Sequence, residues 1–385
     1  MNKKIVIFIN SITAGGAERV TSLLLEYLKN DFDIYLVLLS NNIEYNLPEG
    51  QKIFCLDQPL EENNIIKILK LPFLAYRYKK FCSNNNIETS FSFLKRANYI
   101  NCLSKFFGNK SKIILSERTY LSEYLKSLGN TGKFLGEFLT KILYPKAECI
   151  ISNSVLTQID LQENYNIKTD CRVINNPINL KAAAELSKVQ SDPSLFETFT
   201  FIHVGGLRIE KNHLVLIEAF AQIKNMKAKL LLLGKGEQEI KLRKKVKDLD
   251  IESRVIFLGF DKNPFKYLTK SSCFVLSSDY EGFPNSIQEA LACDLPVIST
   301  DCKAGPREIL APRSILRTTI TNDIEIAQYG ILVPVNNATL LAKAMELMYS
   351  DNNLLNSFRN KAIERARDFD TSIIIKQFKE VLSEN

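Results

Sequence analysis

The run Glu281-Gly-Phe-Pro-Asn-Ser-Ile-Gln-Glu289 holds two carboxylates with seven residues between them. It follows an apolar run ending near Leu276, so its first half reads as a loop after a strand and its second half as a helix opening at about Asn285. Gly282 and Pro284 keep such a loop tight and admit close backbone approach, with Phe283, Asn285 and Ser286 completing the turn. A helix start offers unpaired backbone N–H groups and the positive end of a dipole, worth ~0.3–1 kcal/mol to an anion at an exposed site. Glu281 is expected at a cleft rim, where it can accept hydrogen bonds from sugar hydroxyls, and Glu289, inside the helix, is placed to take a ribose diol. The plain alternative is a capped surface helix carrying two solvated glutamates.

Such loops need parallel sheets behind them. Short apolar runs alternate with helical patterns along the chain, the rhythm of α/β units. Strands are expected over 4–10, 34–39, 113–116 and 149–152, with Gly15 and Gly16 turning the first into a helix over 17–29. Weaker signals run to Asp57, and a helical stretch from Asn63 to Asn84 is interrupted at Pro72. The pattern breaks around Asn175–Pro177, and the polar stretch 179–197 carries no strand signal, so the domain linker is expected there. A second series follows at 199–204, 228–233, 255–258, 273–276, 297–299 and 330–333, then closing helices over 338–350, 353–367 and 371–382. The expected architecture is α/β, with two doubly wound Rossmann-like domains, 1–178 and 179–368, and a C-terminal helix of 369–385 packing back on the first. Doubly wound sheets carry ligands at the carboxyl ends of their strands, so two such domains facing one another make a cleft.

Length and composition bound the function. A chain of 385 residues with 45% hydrophobic and 24% charged residues suits two globular domains. No run approaches 18 apolar residues, so no membrane-spanning helix is expected, and the apolar start reads as a buried strand rather than a signal peptide. Cysteines 55, 82, 102, 149, 171, 273, 293 and 302 form no C-x-x-C pair and sit mostly in apolar runs, the usage of reduced thiols in the cytoplasm. Two histidines leave too few ligands for an ordinary zinc site. Neither the Gly15-Gly16 loop nor Gly234-Lys-Gly236 has the third glycine of a dinucleotide fingerprint, which argues against an oxidoreductase. Three D-x-D pairs (Asp31/Asp33, Asp248/Asp250, Asp368/Asp370) fall at turns and helix ends and read as solvated carboxylates rather than a metal site.

The segment E-G-F-P-N-x-x-x-E-A resembles the signature of retaining glycosyltransferases with the GT-B fold, family 4. Gly15-Gly16-Ala-Glu-Arg19 resembles that family's N-terminal glycine loop, and Val204-Gly-Gly-Leu-Arg-Ile-Glu-Lys211 its first donor-domain loop. Leu233-Gly-Lys-Gly236, the 254–259 segment ending in Gly259, 295–301 and Gly305-Pro-Arg-Glu-Ile-Leu310 complete the set. The stretches 70–80 and 258–265 carry a narrower likeness to enzymes that add N-acetylgalactosamine to polyprenyl-diphosphate-linked glycans.

The resemblance implies that Arg208 and Lys211 neutralise the diphosphate of a nucleotide-sugar donor, stabilising the leaving group without a metal or other cofactor. It implies that Gly15 and Gly16 let the acceptor-domain loop approach the donor phosphates. Two departures stand out. Gly206 occupies the position where many relatives carry the arginine, so Arg208 would reach the phosphate from two residues later. The histidine many relatives place after the strand corresponding to 113–116 is absent, since this chain has only His203 and His213. His203 reads as a core residue and His213 as a surface one. Glu117 is then the candidate for accepting or positioning the acceptor hydroxyl. The departing phosphate can itself take the proton in the mechanism usually written for this family.

Between Ile65 and Lys146 fifteen Lys or Arg face four Glu and no Asp, a net of +11 in a chain of net +7. From 65 to 81 apolar residues interleave with Lys67, Lys70, Arg77, Lys79 and Lys80, and Lys133–Lys146 has similar character around Phe134 and Phe138. Together with Arg118 these suit an anionic membrane face or a diphosphate-bearing acceptor; a core helix with a basic solvated face is the alternative. No nucleic-acid motif accompanies the cations, so no nucleic-acid partner is expected. The expected protein is a cytoplasmic, peripheral membrane transferase moving a hexosamine from a UDP-sugar to a polyprenyl-diphosphate-linked glycan. A lipopolysaccharide or capsule hexosyltransferase using another UDP- or GDP-sugar is the first alternative. An inactive nucleotide-binding scaffold is the second.

Overall fold

The computed structural model describes residues 2–13, 15–56, 64–224 and 226–384, with the backbone alone at 64 and 65. Asp57, Asn63 and the side chain of Ile65 therefore lie outside the described residues. The chain divides into two units, Met1–Pro177 with Ser372–Asn385, and Ile178–Thr371.

The first unit is built on strands β1 (Lys4–Ile9), β2 (Asp33–Leu38), β3 (Lys52–Cys55), β4 (Thr89–Phe93), β5 (Lys112–Glu117), β6 (Cys149–Ser152) and β7 (Asp170–Val173). They lie in the order β3-β2-β1-β4-β5-β6-β7, all parallel, so the strand order reverses between β1 and β4. Strands covered on both faces read as continuous apolar runs, and Ile5 to Ile9 are fully buried. Val6 and Phe8 face the helix Leu71–Asn84, where the Phe8 and Tyr78 rings stack at 4.5 Å. Ile5, Ile7 and Ile9 face the helix Gly16–Leu28 and the C-terminal helix Thr371–Ser383, whose Ile374, Ile375, Phe378, Val381 and Leu382 close that core. Each such side chain contributes about 1.5–3 kcal/mol on burial. The helical stretch broken by Pro72 forms two helices, Asn64–Leu69 and Leu71–Asn84. Pro72 sits in the first turn of the second, where a missing N–H costs nothing.

The second unit contains β8 (Phe199–Val204), β9 (Ala228–Leu233), β10 (Val255–Gly259), β11 (Cys273–Leu276), β12 (Val297–Thr300), β13 (Glu325–Ile326) and β14 (Ile331–Val333). Their order is β10-β9-β8-β11-β12-β14-β13, parallel except for the antiparallel β13–β14 edge. Here the order reverses between β8 and β11. Residues 179–197, expected as a linker, instead belong to this unit. Asn179 caps the helix Leu180–Ser187 by accepting from the Ala182 N–H at 2.8 Å, Ala183 is buried, and Leu195 and Phe196 pack on the same core.

Candidate active site

In the second unit the loops after β8, β9 and β10 stack backbone against backbone. The Gly205 N–H donates to Leu233 O (3.0 Å), the Leu207 N–H to Lys235 O (3.0 Å) and the Gly234 N–H to Gly259 O (2.8 Å). A Cβ on Gly234 would lie 1.9 Å from the Gly205 carbonyl oxygen, so only glycine fits that approach.

Across the strand-order reversal, the loop after β11 is cross-bonded to the turn Ile209–Lys211. The Asp279 N–H donates to Glu210 O (2.9 Å), Ser277 Oγ to Lys211 O (2.8 Å) and Asn212 Nδ2 to Asp279 Oδ1 (2.7 Å). Behind Glu281, its N–H donates to Lys303 O at 3.1 Å, and Gly305 presses on Pro284 from the loop after β12.

This framing brings Glu281 and Lys211, seventy residues apart, into an ion pair of 2.6 Å, with Ser278 Oγ donating to the same Oε1 at 2.7 Å. The Glu281 side chain is only 11% exposed. Neither Glu281 nor the buried Glu289 is a solvated surface glutamate, so the plain alternative does not hold. Gly282, Phe283 and Pro284 are buried, while Asn285 and Ser286 open a helix of seven residues, Asn285–Leu291. Arg208 differs from Lys211. Its side chain is 56% exposed and its nearest carboxylate, Glu210, is 4.0 Å away. One cation is thus committed to Glu281 and the other reaches into solvent from the same loop.

Beneath this loop lies a correction. His213, expected at the surface, is buried, and its ring meets that of His203 edge-on at 4.3 Å. The helix His213–Gln222 turns its first residue inward with Leu216, Ile217 and Phe220. His203 Nδ1 lies 2.9 Å from Val275 O, but its Nε2 and both His213 nitrogens lack hydrogen-bond partners. Burial, with Lys211 close by, depresses both imidazoles, His203 to about 4.

In the first unit Gly15 precedes the helix Gly16–Leu28, and a Cβ there would run into the Glu18 carboxylate. Glu117 ends β5 and is buried, accepting from Tyr144 Oη (2.8 Å) and the Arg118 N–H (3.1 Å). Burial raises its carboxyl, and Lys95 opposes that shift most strongly. Sequence reasoning missed both Lys95 and Tyr144; the visible signal was a lysine directly after the apolar run of β4. Arg118 is also buried, bonded to Asn176 Oδ1 and Ser116 Oγ, and burial lowers it to about 9. It therefore cannot face a membrane.

The family described as "Glycosyl transferases group 1" matches residues 189–367. An N-acetylgalactosaminyltransferase of Campylobacter jejuni is 38% identical over 96% of each chain; its name specifies N-acetylgalactosamine-N,N'-diacetylbacillosaminyl-diphospho-undecaprenol as acceptor. The chain belongs to the group 1 glycosyltransferases. A second C. jejuni enzyme, an alpha-1,4-N-acetyl-D-galactosaminyltransferase named for a GalNAc-containing diphospho-undecaprenol glycan, is 25% identical over 99% of this chain and 98% of its own. Anabaena HepE, solved with UDP and glucose, superposes with a TM-score of 0.78 at 18% identity, covering 100% of each chain. The protein is accordingly an enzyme, a glycosyltransferase of GT-B fold, as its sequence led us to expect.

The basic segment of this glycosyltransferase has two faces. On Leu71–Asn84, Leu74, Tyr78 and Phe81 enter the core, while Phe73 (60% exposed) and Tyr76 stay outside, with Arg77 and Lys80 over their respective rings. Lys80 is exposed; Lys67, Lys70, Arg77 and Lys79 are half-buried. Leu69, Phe106 and Phe107 are also exposed, with Lys146 over Phe106, and Phe134 and Phe138 protrude from Gly129–Leu143.

Of the D-x-D carboxylates, Asp248, Asp250 and Asp368 are exposed, as expected, and Asp31, Asp33 and Asp370 are half-buried. Asp33 pairs with Lys52 (2.6 Å), Asp31 with Lys379, Asp368 with Arg365 (2.6 Å), and Asp370 accepts from the Leu180 N–H (3.3 Å). Among the described residues no three His, Cys, Asp or Glu side chains converge as a metal site would require, and no helix is long and apolar enough to cross a membrane.

Proposed function

We propose that this glycosyltransferase moves N-acetylgalactosamine from its UDP-sugar to a polyprenyl-diphosphate-linked glycan, with retention of configuration and without a metal ion. The observation that carries the reading is the Lys211–Glu281 pair at the strand-order reversal of the second unit, with Arg208 extended from the same loop. Carboxyl strand ends at such a reversal are where doubly wound sheets hold ligands. Arg208 and Lys211 supply positive charge to a donor diphosphate and stabilise the charge that develops on the departing phosphate. Glu281, held by Lys211 and Ser278, orients a sugar hydroxyl with its remaining oxygen, and Glu289 takes the ribose. The departing phosphate accepts the proton of the acceptor hydroxyl, which Glu117 positions. The similarity to the C. jejuni enzyme supports the choice of sugar and acceptor.

The same reading puts the enzyme on the cytoplasmic face of an anionic membrane. Exposed Leu69, Phe73 and Phe134 beside the cations suit that surface, at ~1 kcal/mol per basic residue close to it.

The test is transfer from a panel of UDP- and GDP-sugars to an undecaprenyl-diphosphate-linked glycan, with chelator throughout and the product's anomeric configuration determined. The expected outcome is preference for UDP-N-acetylgalactosamine, an unchanged rate under chelation, and loss of turnover by about 10²–10³-fold in Glu281→Gln. Preference for another sugar would favour a lipopolysaccharide or capsule transferase. Absence of turnover with every donor would favour the scaffold.

A further inference from the structure

At the carboxyl edge of the first unit, a lysine outside every motif is buried beside the candidate acceptor carboxylate. Lys95 follows β4 by two residues, one position past the point that the register Phe93↔Ser116 sets opposite Glu117 on the neighbouring strand. The residue between, Leu94, has φ +69° and ψ 149°, a conformation that costs a leucine about 1–3 kcal/mol and persists only where surrounding packing enforces it. Beyond this strained turn the Lys95 stem is partly exposed, but its ammonium is closed to solvent. Nζ stands 3.3 Å from the Tyr124 ring centroid and has no hydrogen-bond acceptor.

An ammonium buried without a hydrogen bond is costly unless an opposite charge stands close. Two anions face it, Glu117 and Asp160. Asp160 is already held by the Ser122 N–H (2.9 Å), Ser122 Oγ and Asn164 Nδ2 (2.8 Å). The ionisable groups facing Glu117 are Lys95 and Tyr99 from the helix Lys95–Ser104, Tyr144 from the turn Tyr144–Lys146, Asp160 and Tyr165 from the helix Val155–Tyr165, and Arg118 beside it. Arg118 turns its two terminal guanidinium nitrogens to Ser116 and Asn176, leaves its Nε without a partner, and its charge also bears on Glu117. Lys95, whose ammonium has no hydrogen-bond acceptor, is the cation that opposes the rise of the Glu117 carboxyl most strongly.

We propose that Lys95 is the positioning residue that keeps Glu117 a carboxylate in its buried place, ready to hold the acceptor hydroxyl. This rests on the reading of Glu117 given above. Lys95 Nζ lies against the Tyr124 ring and acts on the acceptor only through Glu117. The electrostatics agree: burial pushes Lys95 down to about 7 and Glu117 up, while each draws the other back toward its charged form.

The experiment measures kcat and KM against pH for the wild type, Lys95→Met, Lys95→Arg and Glu117→Gln, with UDP-N-acetylgalactosamine and an undecaprenyl-diphosphate-linked glycan ending in N-acetylgalactosamine. Without Lys95 the Glu117 carboxyl rises further, so Lys95→Met should move the acid limb of kcat upward by about one pH unit or more, roughly tenfold at the foot of the limb. The KM for the nucleotide sugar should not change, and Lys95→Arg should restore the wild-type limb. An even loss of kcat at every pH would mean that Lys95 only supports the fold, and would overturn the proposal.

Glu117→Gln separates the two claims. If it transfers at the wild-type rate with the same limb, the reading of Glu117 fails. If it loses transfer while Lys95→Met leaves the limb in place, the Lys95 inference fails alone. Should Lys95→Met not fold, or the wild type transfer nothing to this acceptor, the wild type labelled with 13C at lysine Cε is titrated by NMR, with Lys95→Arg assigning the resonance. A midpoint near neutrality supports the buried pair; a midpoint at the ordinary lysine value of about 10.4 overturns it.

Discussion

His203 and His213 carry no solvent-facing nitrogen, and folding therefore keeps the second proton off each ring. The linkage has a definite sign. Each folded-state value lies below the ordinary histidine value, so as pH falls the unfolded chain takes up protons first. The stabilisation is complete above about pH 6.5 and is lost as pH falls toward the His203 value of about 4. The slope reaches roughly 1.4 kcal/mol per pH unit for each histidine. Glu117 pulls the other way, since its raised carboxyl stabilises the fold as pH drops toward the unfolded value. The comparison that isolates the pair is the melting temperature from pH 7.5 to 4.5 of the wild type against His213→Phe. The variant should show the shallower acid decline; parallel curves would mean that the rings protonate freely in the folded state.

Among the elements, the loops after β11 and β12 are joined by the Glu281–Lys303 hydrogen bond and by the close approach of Gly305. Gly305 has φ +89°, and a Cβ there would sit 2.5 Å from Pro284 Cδ and 3.0 Å from Gly282 O. Gly305→Ala should cost about 1–3 kcal/mol of stability. It should also weaken UDP binding, because the displaced loop is the one that aims Glu281. Denaturant unfolding and calorimetric titration with UDP would measure the two effects; a melt and an affinity equal to wild type would show that the loop yields without consequence.

Several elements were legible in the sequence because strands buried on both faces print as apolar runs, β1 and β9 most plainly. The edge strand β7, Asp-Cys-Arg-Val, is only half-buried and has no such run. β13 is two residues long and takes its definition from the antiparallel partner. The helix Leu180–Ser187 did carry a signal, Asn179 as a cap before alanines, which a search for strands passed over. At the candidate site, Glu281 and Lys211 were each named from their own motif, but their pairing required the crossed loops. The burial of the Lys95 ammonium depends on Tyr124, twenty-nine positions away, and no local pattern announces it.

For the whole molecule, the division between units follows packing rather than chain order. The first unit is discontinuous, completed by a helix that the chain reaches only after forming the entire second unit. Removing 372–385 strips Ile374, Ile375, Phe378, Val381 and Leu382 from the core that Ile5, Ile7 and Ile9 line. At about 1.5–3 kcal/mol for each buried apolar side chain, the loss matches or exceeds the 5–15 kcal/mol that holds an ordinary domain together. Limited proteolysis of the truncated chain should leave a protected fragment within 178–371 while 1–177 is degraded. Equal protection of both segments would show the last helix to be dispensable.

The returning helix also bears on synthesis. Domains commonly fold in the order they leave the ribosome, amino-terminal first. Here the amino-terminal segment emerges without its last covering helix, whereas the second unit is contiguous and complete as soon as Thr371 is out. The half of this enzyme made first is therefore the half finished last, and the nascent chain carries an apolar sheet face only partly covered by Gly16–Leu28 through the whole translation of the other half, the interval in which a chaperone would have something to hold.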